Sequence, residues 1–309
     1  MTTAIGIDLG GTKIAGGVVD EKGTVLSREQ LPSDVHHPDQ LIAQIAKLAA
    51  DLGSPDVVGV GIGAAGLIDH AHGRYLYGPN TGLRDLDLAA MISDAVGLPV
   101  SLDNDANCAA WGEHKFGCGR GTRDFLCITL GTGIGGGFVF GGRPYRGAHG
   151  GAAEVGHILV DPDGPLCGCG RYGCWEQFAS GMALERLAAE GLSAHPESVL
   201  ALQAPIVGPM ITRAARDGDA FALELVARTA RWVGWGLASL VNVLEPERIA
   251  VAGGIASDWD LFGDEAVSAM GERAEAPDYR PMPEVSASAL GADSGVVGAA
   301  LLVLDPAYR

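Results

Sequence analysis

The sequence is short of positive charge and of long apolar runs. It holds 21 Lys and Arg residues against 38 Asp and Glu residues, a formal net charge of −17. A chain this acidic is repelled by phosphate backbones and anionic lipid, so nucleic acid and membrane surfaces are poor candidates for partners. No apolar run approaches the ~20 residues that span a bilayer, and no signal peptide is recognisable before the strand-like residues 3–9. We therefore expect a cytoplasmic protein.

Two common nucleotide-binding motifs are also missing. Neither GxxxxGK[ST] nor a strand–GxGxxG–helix pattern occurs, which excludes P-loop and Rossmann sites at the level of the motif. Glycine is nevertheless abundant, at 47 of 309 residues, and it is concentrated in a few turns. Acidity does not exclude ATP, because backbone N–H groups and Mg²⁺ can hold a nucleotide regardless of net charge.

Length and patterning indicate a two-domain α/β protein. A chain of 309 residues that is 47% hydrophobic can form two ordinary cores. Strands and helices alternate along it, which is typical of α/β architecture. The predicted strands cover about 3–9, 14–20, 24–30, 57–62, 100–102, 248–252 and 284–289, with further strands inside 124–140. The predicted helices cover about 39–52, 87–96, 105–116, 180–190, 205–217, 219–244, 259–274 and 295–304.

One internal repeat is visible. Residues 8–19 align with residues 129–140 at a constant offset of 121, with leucine, the glycine-rich turn and valine in register. Two copies of strand, glycine turn and strand favour a duplicated fold with two similar lobes. Chance similarity between glycine-rich hairpins is the alternative.

Both turns of this repeat have the composition of a phosphate site. Glycines let the backbone approach a ligand closely, and turn N–H groups can then point at phosphate oxygens. Lys13 and the Thr12 and Thr132 hydroxyls add donors, and Asp8 is placed to hold Mg²⁺ through water. Two ordinary tight hairpins are the alternative. The predicted nucleotide site comprises Asp8, Gly10, Gly11, Thr12, Lys13, Gly131, Thr132 and Gly133, with Gly253 and Gly254 against the base or ribose.

An asparagine and an aspartate follow a short buried strand. Asn104 and Asp105 lie at the carboxyl end of this strand, where α/β sheets keep their ligand sites, and they also begin a helix. One interpretation is a helix N-cap, a common role for Asn and Asp. The other is that Asp105 is a general base, because a helix N-terminus favours the ionised carboxylate that phosphoryl transfer requires.

A histidine and three cysteines have the spacing H-x9-C-x-C-x4-C. His157, Cys167, Cys169 and Cys174 fit a closed, tetrahedral structural zinc site, since thiols stay reduced in the cytoplasm. Unlinked thiols with a surface histidine are the alternative, and C-x-C is not the redox motif C-x-x-C. A zinc ion here would also fix Glu154 and Glu176, whose carboxylates could bind sugar hydroxyls.

Together these motifs resemble the ROK family of sugar kinases and, within it, the bacterial ATP-dependent glucokinases. Residues 8–13 (DLGGTK) look like the first phosphate motif of the family, and residues 130–137 (LGTGIGGG) look like the second. Residues 154–157 (EVGH) match its ExGH sugar motif. Residues 167–176 match its zinc motif CxCGxxGCxE. The resemblance runs essentially end to end.

The resemblance implies an actin-like, hexokinase-like (ribonuclease H-like) fold with a cleft between duplicated lobes. The smaller lobe would be about 1–107, with the helix near 295–309 returning to it, and the larger lobe would be 108–294 with the zinc loop. The reaction would be ATP-dependent phosphorylation of a hexose 6-hydroxyl, glucose above all, with Mg²⁺ and a structural Zn²⁺, in a dimer or tetramer. Asp105 would be the base, and the residues around the sugar would be Gly66, Asn80, Asn104, Asp105, Glu154, His157 and Glu176.

Several alternatives stay open within this resemblance. The acceptor could be N-acetylglucosamine, N-acetylmannosamine, mannose, allose or fructose, and polyphosphate could replace ATP. Some relatives are sugar-responsive transcription repressors with a DNA-binding segment before the first phosphate strand, but few residues precede Asp8 here. Two positions depart from the family pattern. Asp103 stands where Glu is common and Cys108 where Ala is common, and oxidation of Cys108 near Asp105 is expected to inhibit.

Overall fold

The computed structural model describes residues 1–11, 13–33, 37–78, 82–203 and 205–308. Its strands are β1 (Thr3–Leu9), β2 (Lys13–Asp20), β3 (Val25–Pro32), β4 (Val57–Ala64), β5 (Leu67–Asp69), β6 (Arg74–Tyr77), β7 (Arg84–Leu86), β8 (Val100–Asn104), β9 (Phe125–Leu130), β10 (Ile134–Phe140), β11 (Arg143–Tyr145), β12 (Arg248–Ala252) and β13 (Glu284–Ala287). Its α-helices are α1 (Pro38–Leu52), α2 (Leu88–Val96), α3 (Asp105–Phe116), α4 (Glu176–Ala179), α5 (Gly181–Gly191), α6 (Gly208–Arg216), α7 (Ala220–Leu244), α8 (Trp259–Arg273) and α9 (Ser294–Leu304).

The first sheet has the strand order β3-β2-β1-β4-β8. Strands β1, β2 and β3 pair antiparallel, whereas β4 runs parallel to both β1 and β8. In this register Leu9 lies beside Ala64, and Ala64 lies beside Asn104. The three parallel strands therefore end in one row, which brings Asp8 and Asn104 to the same edge of the sheet.

Apolar residues cover both faces of this sheet. Strands β1 and β4 read as nearly continuous apolar runs because neither face meets water. On one face, Leu41, Ile45 and Leu48 of α1 join the main core, and on the other Val296 and Ala300 of α9 form a smaller one. Packing on both faces therefore holds the ends of β1, β4 and β8 in place, where the polar residues lie.

The second sheet repeats the strand order of the first. Its order is β11-β10-β9-β12-β13, so in both sheets the third, second, first, fourth and fifth strands lie side by side. Strand β1 ends at Leu9 and β9 at Leu130, and β2 begins at Lys13 and β10 at Ile134, each 121 residues apart. The duplication that the sequence repeat predicts thus extends to a whole sheet.

Most predicted elements are confirmed, with a few differences. The helix expected at 205–217 begins at Gly208, with Pro209 in its first turn, a position that proline favours. The helix expected at 180–190 is α5, which the Ser180 hydroxyl caps, and the short helix α4 before it was not predicted. The sheet of β5, β6 and β7 was not predicted, because strands of three or four residues are too short for a periodic pattern.

The chain divides into two compact units. The first comprises Met1–Cys127, Gly136–Ala153 and Ser288–Arg309, and the second comprises Ile128–Gly135 and Glu154–Ala287. The lobe boundaries 1–107 and 108–294 stay a prediction. Within the described ranges, none of the helices combines the length and the apolar character that a bilayer crossing requires.

Candidate active site

Asn104 and Asp105 of the first unit lie where β8 ends and α3 begins. The Asn104 side-chain oxygen accepts hydrogen bonds from the N–H groups of Ala106 (2.9 Å) and Asn107 (3.1 Å). Asn104 is therefore the N-cap, and Asp105 is the first helical residue. The capping role and the acidic role that the sequence left open thus fall on different residues, and the helix N-terminus favours an ionised Asp105.

Gly66 lies against the same cap. The Asn104 side-chain amide donates to the Gly66 carbonyl at 3.1 Å. Gly66 has a φ of 136°, and a Cβ there would lie 2.4 Å from the Tyr77 carbonyl oxygen, so only glycine fits. The structure thus brings together Gly66, Asn104 and Asp105, whereas Asn80 lies outside the described residues.

Asp8 lies on β1 at the same edge of the sheet. Its carboxyl faces the first turn of α9, because a Cβ on Gly295 would lie 2.8 Å from its Oδ2. Burial raises the pKa of Asp8 from 3.8 to about 6, and the charge of Lys13 acts in the opposite direction. The Gly10 N–H donates to the Lys13 carbonyl at 3.0 Å and closes the turn that includes Gly11. Thr12 of this turn lies outside the described residues.

Cys108, on the second turn of α3, is fully buried. Burial, followed by the charge of Asp103, raises the pKa of its thiol well above the ordinary 9.0. Oxidants react with exposed thiolates, and Cys108 is neither exposed nor readily ionised. The structure therefore argues against the expected inhibition by oxidation.

The nucleotide candidates of the second unit also lie together. The Gly131 N–H donates to the Gly133 carbonyl at 3.0 Å, which leaves Thr132 exposed at the tip of the turn. Gly253 has a φ of 87°, and a Cβ on it would lie 2.6 Å from the Leu130 carbonyl oxygen. The stretch Gly253–Gly254 therefore passes directly beside the strand that leads into the turn.

The predicted zinc ligands form one cluster in the second unit. One ligand atom from each of His157, Cys167, Cys169 and Cys174 lies within 4.8 Å of all the others. Cys167 Sγ is 3.6 Å from His157 Nδ1, and Cys169 Sγ is 3.6 Å from Cys174 Sγ. Around a tetrahedral zinc, sulfur–nitrogen and sulfur–sulfur separations are about 3.6 and about 3.8 Å. The four residues can hold such an ion.

Two carboxylates flank the histidine of this cluster. Glu154 Oε2 lies 4.0 Å from His157 Nε2, and Glu176 Oε1 lies 3.8 Å from His157 Nδ1. The Cys167 thiol donates to Glu176 Oε1 at 2.9 Å, and Glu176 Oε2 accepts from the Ile134 N–H at 3.5 Å. Glu176 therefore connects the cysteine cluster with the end of the 131–133 turn.

The side chains around Asp103 did not emerge from the sequence. This buried carboxylate contacts Arg146 and Tyr308, which are 43 and 205 residues away. The only local signal was an acidic residue at the end of a buried strand, and it did not identify either partner.

The chain resembles known proteins along nearly its whole length. The family model of the ROK family matches residues 4–306. The glucokinase of Streptomyces coelicolor is 44% identical over 315 residues, covering 99% of each chain. The solved ROK family glucokinase of Streptomyces griseus, in complex with glucose and AMPPNP, is 44% identical with a TM-score of 0.91, covering 97% of this chain and 98% of that one. The solved ROK hexokinase of Thermus thermophilus is 36% identical with a TM-score of 0.77, covering 97% of each.

This likeness confirms the predicted two-lobed, actin-like α/β fold. Because the family model spans nearly the whole chain and full-length relatives share 44% of its residues, the chain belongs to the ROK family.

Proposed function

We propose that this protein is a glucokinase that transfers the γ-phosphoryl group of ATP to the 6-hydroxyl of glucose. The observation that carries the proposal is the likeness, at 44% identity and a TM-score of 0.91, to a glucokinase solved with glucose and AMPPNP. The arrangement of Asp8 and Asp105 at one sheet edge supports it independently of that likeness, because phosphoryl transfer needs a metal-binding carboxylate and a base.

Asp105 is the proposed general base. Its carboxylate accepts the proton of the sugar 6-hydroxyl as that oxygen bonds to the γ-phosphorus and the bond to the β-phosphate oxygen breaks, releasing ADP. Its place at the first position of α3 supports this role, since the helix dipole stabilises the ionised form. The Asn104 cap and its bond to Gly66 hold this end of the helix.

The two glycine turns are the proposed phosphate-binding elements. Backbone N–H groups and Lys13 would hold phosphate oxygens, with Asp8 holding Mg²⁺ through water. The bound magnesium would neutralise charge on the phosphates. The proposed nucleotide site comprises the same residues that the sequence predicted, namely Asp8, Gly10, Gly11, Thr12, Lys13, Gly131, Thr132, Gly133, Gly253 and Gly254.

The sugar hydroxyls are assigned to Asn104, Glu154, His157 and Glu176, and Gly66 and Asn80 complete the proposed set of sugar-binding residues. We infer that His157 serves zinc and sugar with different nitrogens. Its Nδ1 lies toward Cys167 and its Nε2 toward Glu154, which supports the division. A carboxylate beside Nε2 gives paired acceptors and donors for vicinal hydroxyls.

The zinc is proposed as structural, held by His157 Nδ1 and three cysteine sulfurs. Four protein ligands complete a tetrahedral shell, so the ion would order the loop and take no part in the transfer. Reduced thiolates are needed for this site, which supports a cytoplasmic location. A dimer or tetramer, and the lobes 1–107 with 295–309 and 108–294, complete the proposal.

A coupled kinase assay over a panel of hexoses, each with ATP and with polyphosphate, tests the proposed function. We expect glucose with ATP to give the highest kcat/KM and glucose 6-phosphate to be the product. A higher kcat/KM with N-acetylglucosamine or N-acetylmannosamine would identify that sugar as the acceptor in place of glucose. A preference for polyphosphate would identify it as the donor in place of ATP. Absence of phosphorylation with every sugar would overturn the proposal.

A further inference from the structure

A buried carboxylate stands two positions before the proposed base and has no role in the proposed phosphoryl transfer. Asp103 is 1% exposed, and each of its two carboxylate oxygens accepts two hydrogen bonds. Oδ1 accepts from the Asn104 N–H (2.7 Å) and from Asn107 Nδ2 (3.1 Å). Oδ2 accepts from Arg146 Nε (2.6 Å) and from the Tyr308 hydroxyl (2.9 Å). With four donors in place, this carboxylate is committed to other protein groups rather than to a ligand.

These donors come from separate parts of the first unit. Arg146 follows β11, and Tyr308 belongs to a short helical turn after α9. The two also bind each other, because the Arg146 guanidinium donates to the Tyr308 carbonyl at 3.0 Å and lies 4.4 Å from the centre of its ring. Asp103 therefore joins the β8–α3 junction to two distant segments.

Other groups around this network hold the same turn against α3. The Tyr308 ring packs edge-on against His70 (5.8 Å) and Trp111 (5.6 Å). Trp111 Nε1 donates to Asp305 Oδ2 at 3.1 Å, and Lys115 pairs with the same oxygen at 2.9 Å. Tyr308 and Asp305 thus contact α3 from Cys108, whose Sγ is 4.0 Å from the Tyr308 hydroxyl, to Lys115. The proposed base is the first residue of this helix.

We propose that Asp103, Arg146 and Tyr308 form a positioning network that fixes where Asp105 meets the sugar hydroxyl. The inference rests on the proposed function and assigns these residues no contact with substrate. Asp103 accepts hydrogen bonds from the peptide N–H of Asn104, just before Asp105, and from the side chain of Asn107, two residues after it. A displacement of about 1 Å at a reacting group can cost ~10²-fold in rate, so a small shift at this junction is expressed in kcat.

Tyr308→Phe tests the network with the least disturbance, because it removes one hydroxyl and keeps the ring. We expect kcat for glucose to fall about 10-fold while the KM values of glucose and ATP change less than about 2-fold. The matched control is Ser198→Ala, which removes a buried hydroxyl that donates to the Asp219 carboxylate at 3.0 Å in the second unit. It should lower the melting temperature comparably and leave kcat within about 2-fold of wild type.

Asp103→Asn provides a second variant, because an amide has one acceptor oxygen and would face its NH2 group to one of the two pairs of donors. We expect a kcat loss of about 100-fold, and adding Tyr308→Phe to it should cost little more, since both act through one network. Unchanged kcat in Tyr308→Phe, or equal losses in Tyr308→Phe and Ser198→Ala, would overturn the network while wild-type glucose phosphorylation stands. A wild-type protein without that activity would overturn the proposed function and this inference with it.

Discussion

Individual residues at the edge of the first sheet differ in how far the sequence could predict them. Asp105 followed from its place between a strand and a helix, and the structure adds that its neighbour Asn104 is the cap. Asp103 looked like a minor departure from the family pattern, yet it accepts four hydrogen bonds. The residues around Asp103 in the sequence could not predict these bonds, because its partners Arg146 and Tyr308 are distant in sequence.

Asp8 gives a prediction about pH at this scale. Its pKa of about 6 in the folded protein exceeds the ordinary 3.8, so the folded state binds the proton more tightly than the unfolded state. The free energy of unfolding should therefore fall as pH rises from about 4 to about 6. Asp8→Asn removes this loss, and without Mg²⁺ or nucleotide it should gain about 2–3 kcal/mol relative to wild type between pH 4 and pH 7.

Asp20→Asn is a control of opposite sign for this measurement. Burial tends to raise the pKa of Asp20, but hydrogen bonds from the N–H groups of Thr24 and Lys22 outweigh burial and lower it. This carboxylate stabilises the fold above its unfolded pKa and loses that contribution in acid. Denaturant titrations across the pH range should show the two variants diverging from wild type in opposite directions, and parallel curves would refute the Asp8 assignment.

At the scale of elements, the sequence predicted best what depends on short spacing. The glycine turns and the His–Cys cluster each lie within one segment, so residue spacing sufficed to identify them. The sheet of β5, β6 and β7 was missed, although Gly66, whose carbonyl accepts from the Asn104 side chain, directly precedes β5. Its strands are stabilised by pairing with each other, and single strands of that length have no distinctive pattern.

The cysteine cluster gives a prediction about this segment. Mass spectrometry under native conditions should find about one zinc per chain, and Cys169→Ser should lose it and lower the melting temperature. Cys118→Ser is a matched control, because its hydroxyl can replace the thiol that donates to Glu113. A wild-type protein that keeps its melting temperature after chelation, with no zinc bound, would contradict the structural role.

The whole molecule is organised by duplication. Two sheets with the same strand order each present a glycine turn after their first strand, 121 residues apart. This could be predicted because the repeat survives in the sequence of the turns. The division into units could not be predicted, since the chain leaves and re-enters the first unit twice, at boundaries without a composition signal.

The central claim is that Asp105 transfers the proton in the phosphorylation of glucose by ATP. The most direct test is the kcat of Asp105→Asn together with its glucose dissociation constant, with Asp39→Asn as a control that removes a carboxylate from the first turn of another helix. We predict a kcat at least about 100-fold below wild type, with glucose binding within about 3-fold and the control unchanged. Substantial turnover by Asp105→Asn would contradict the account.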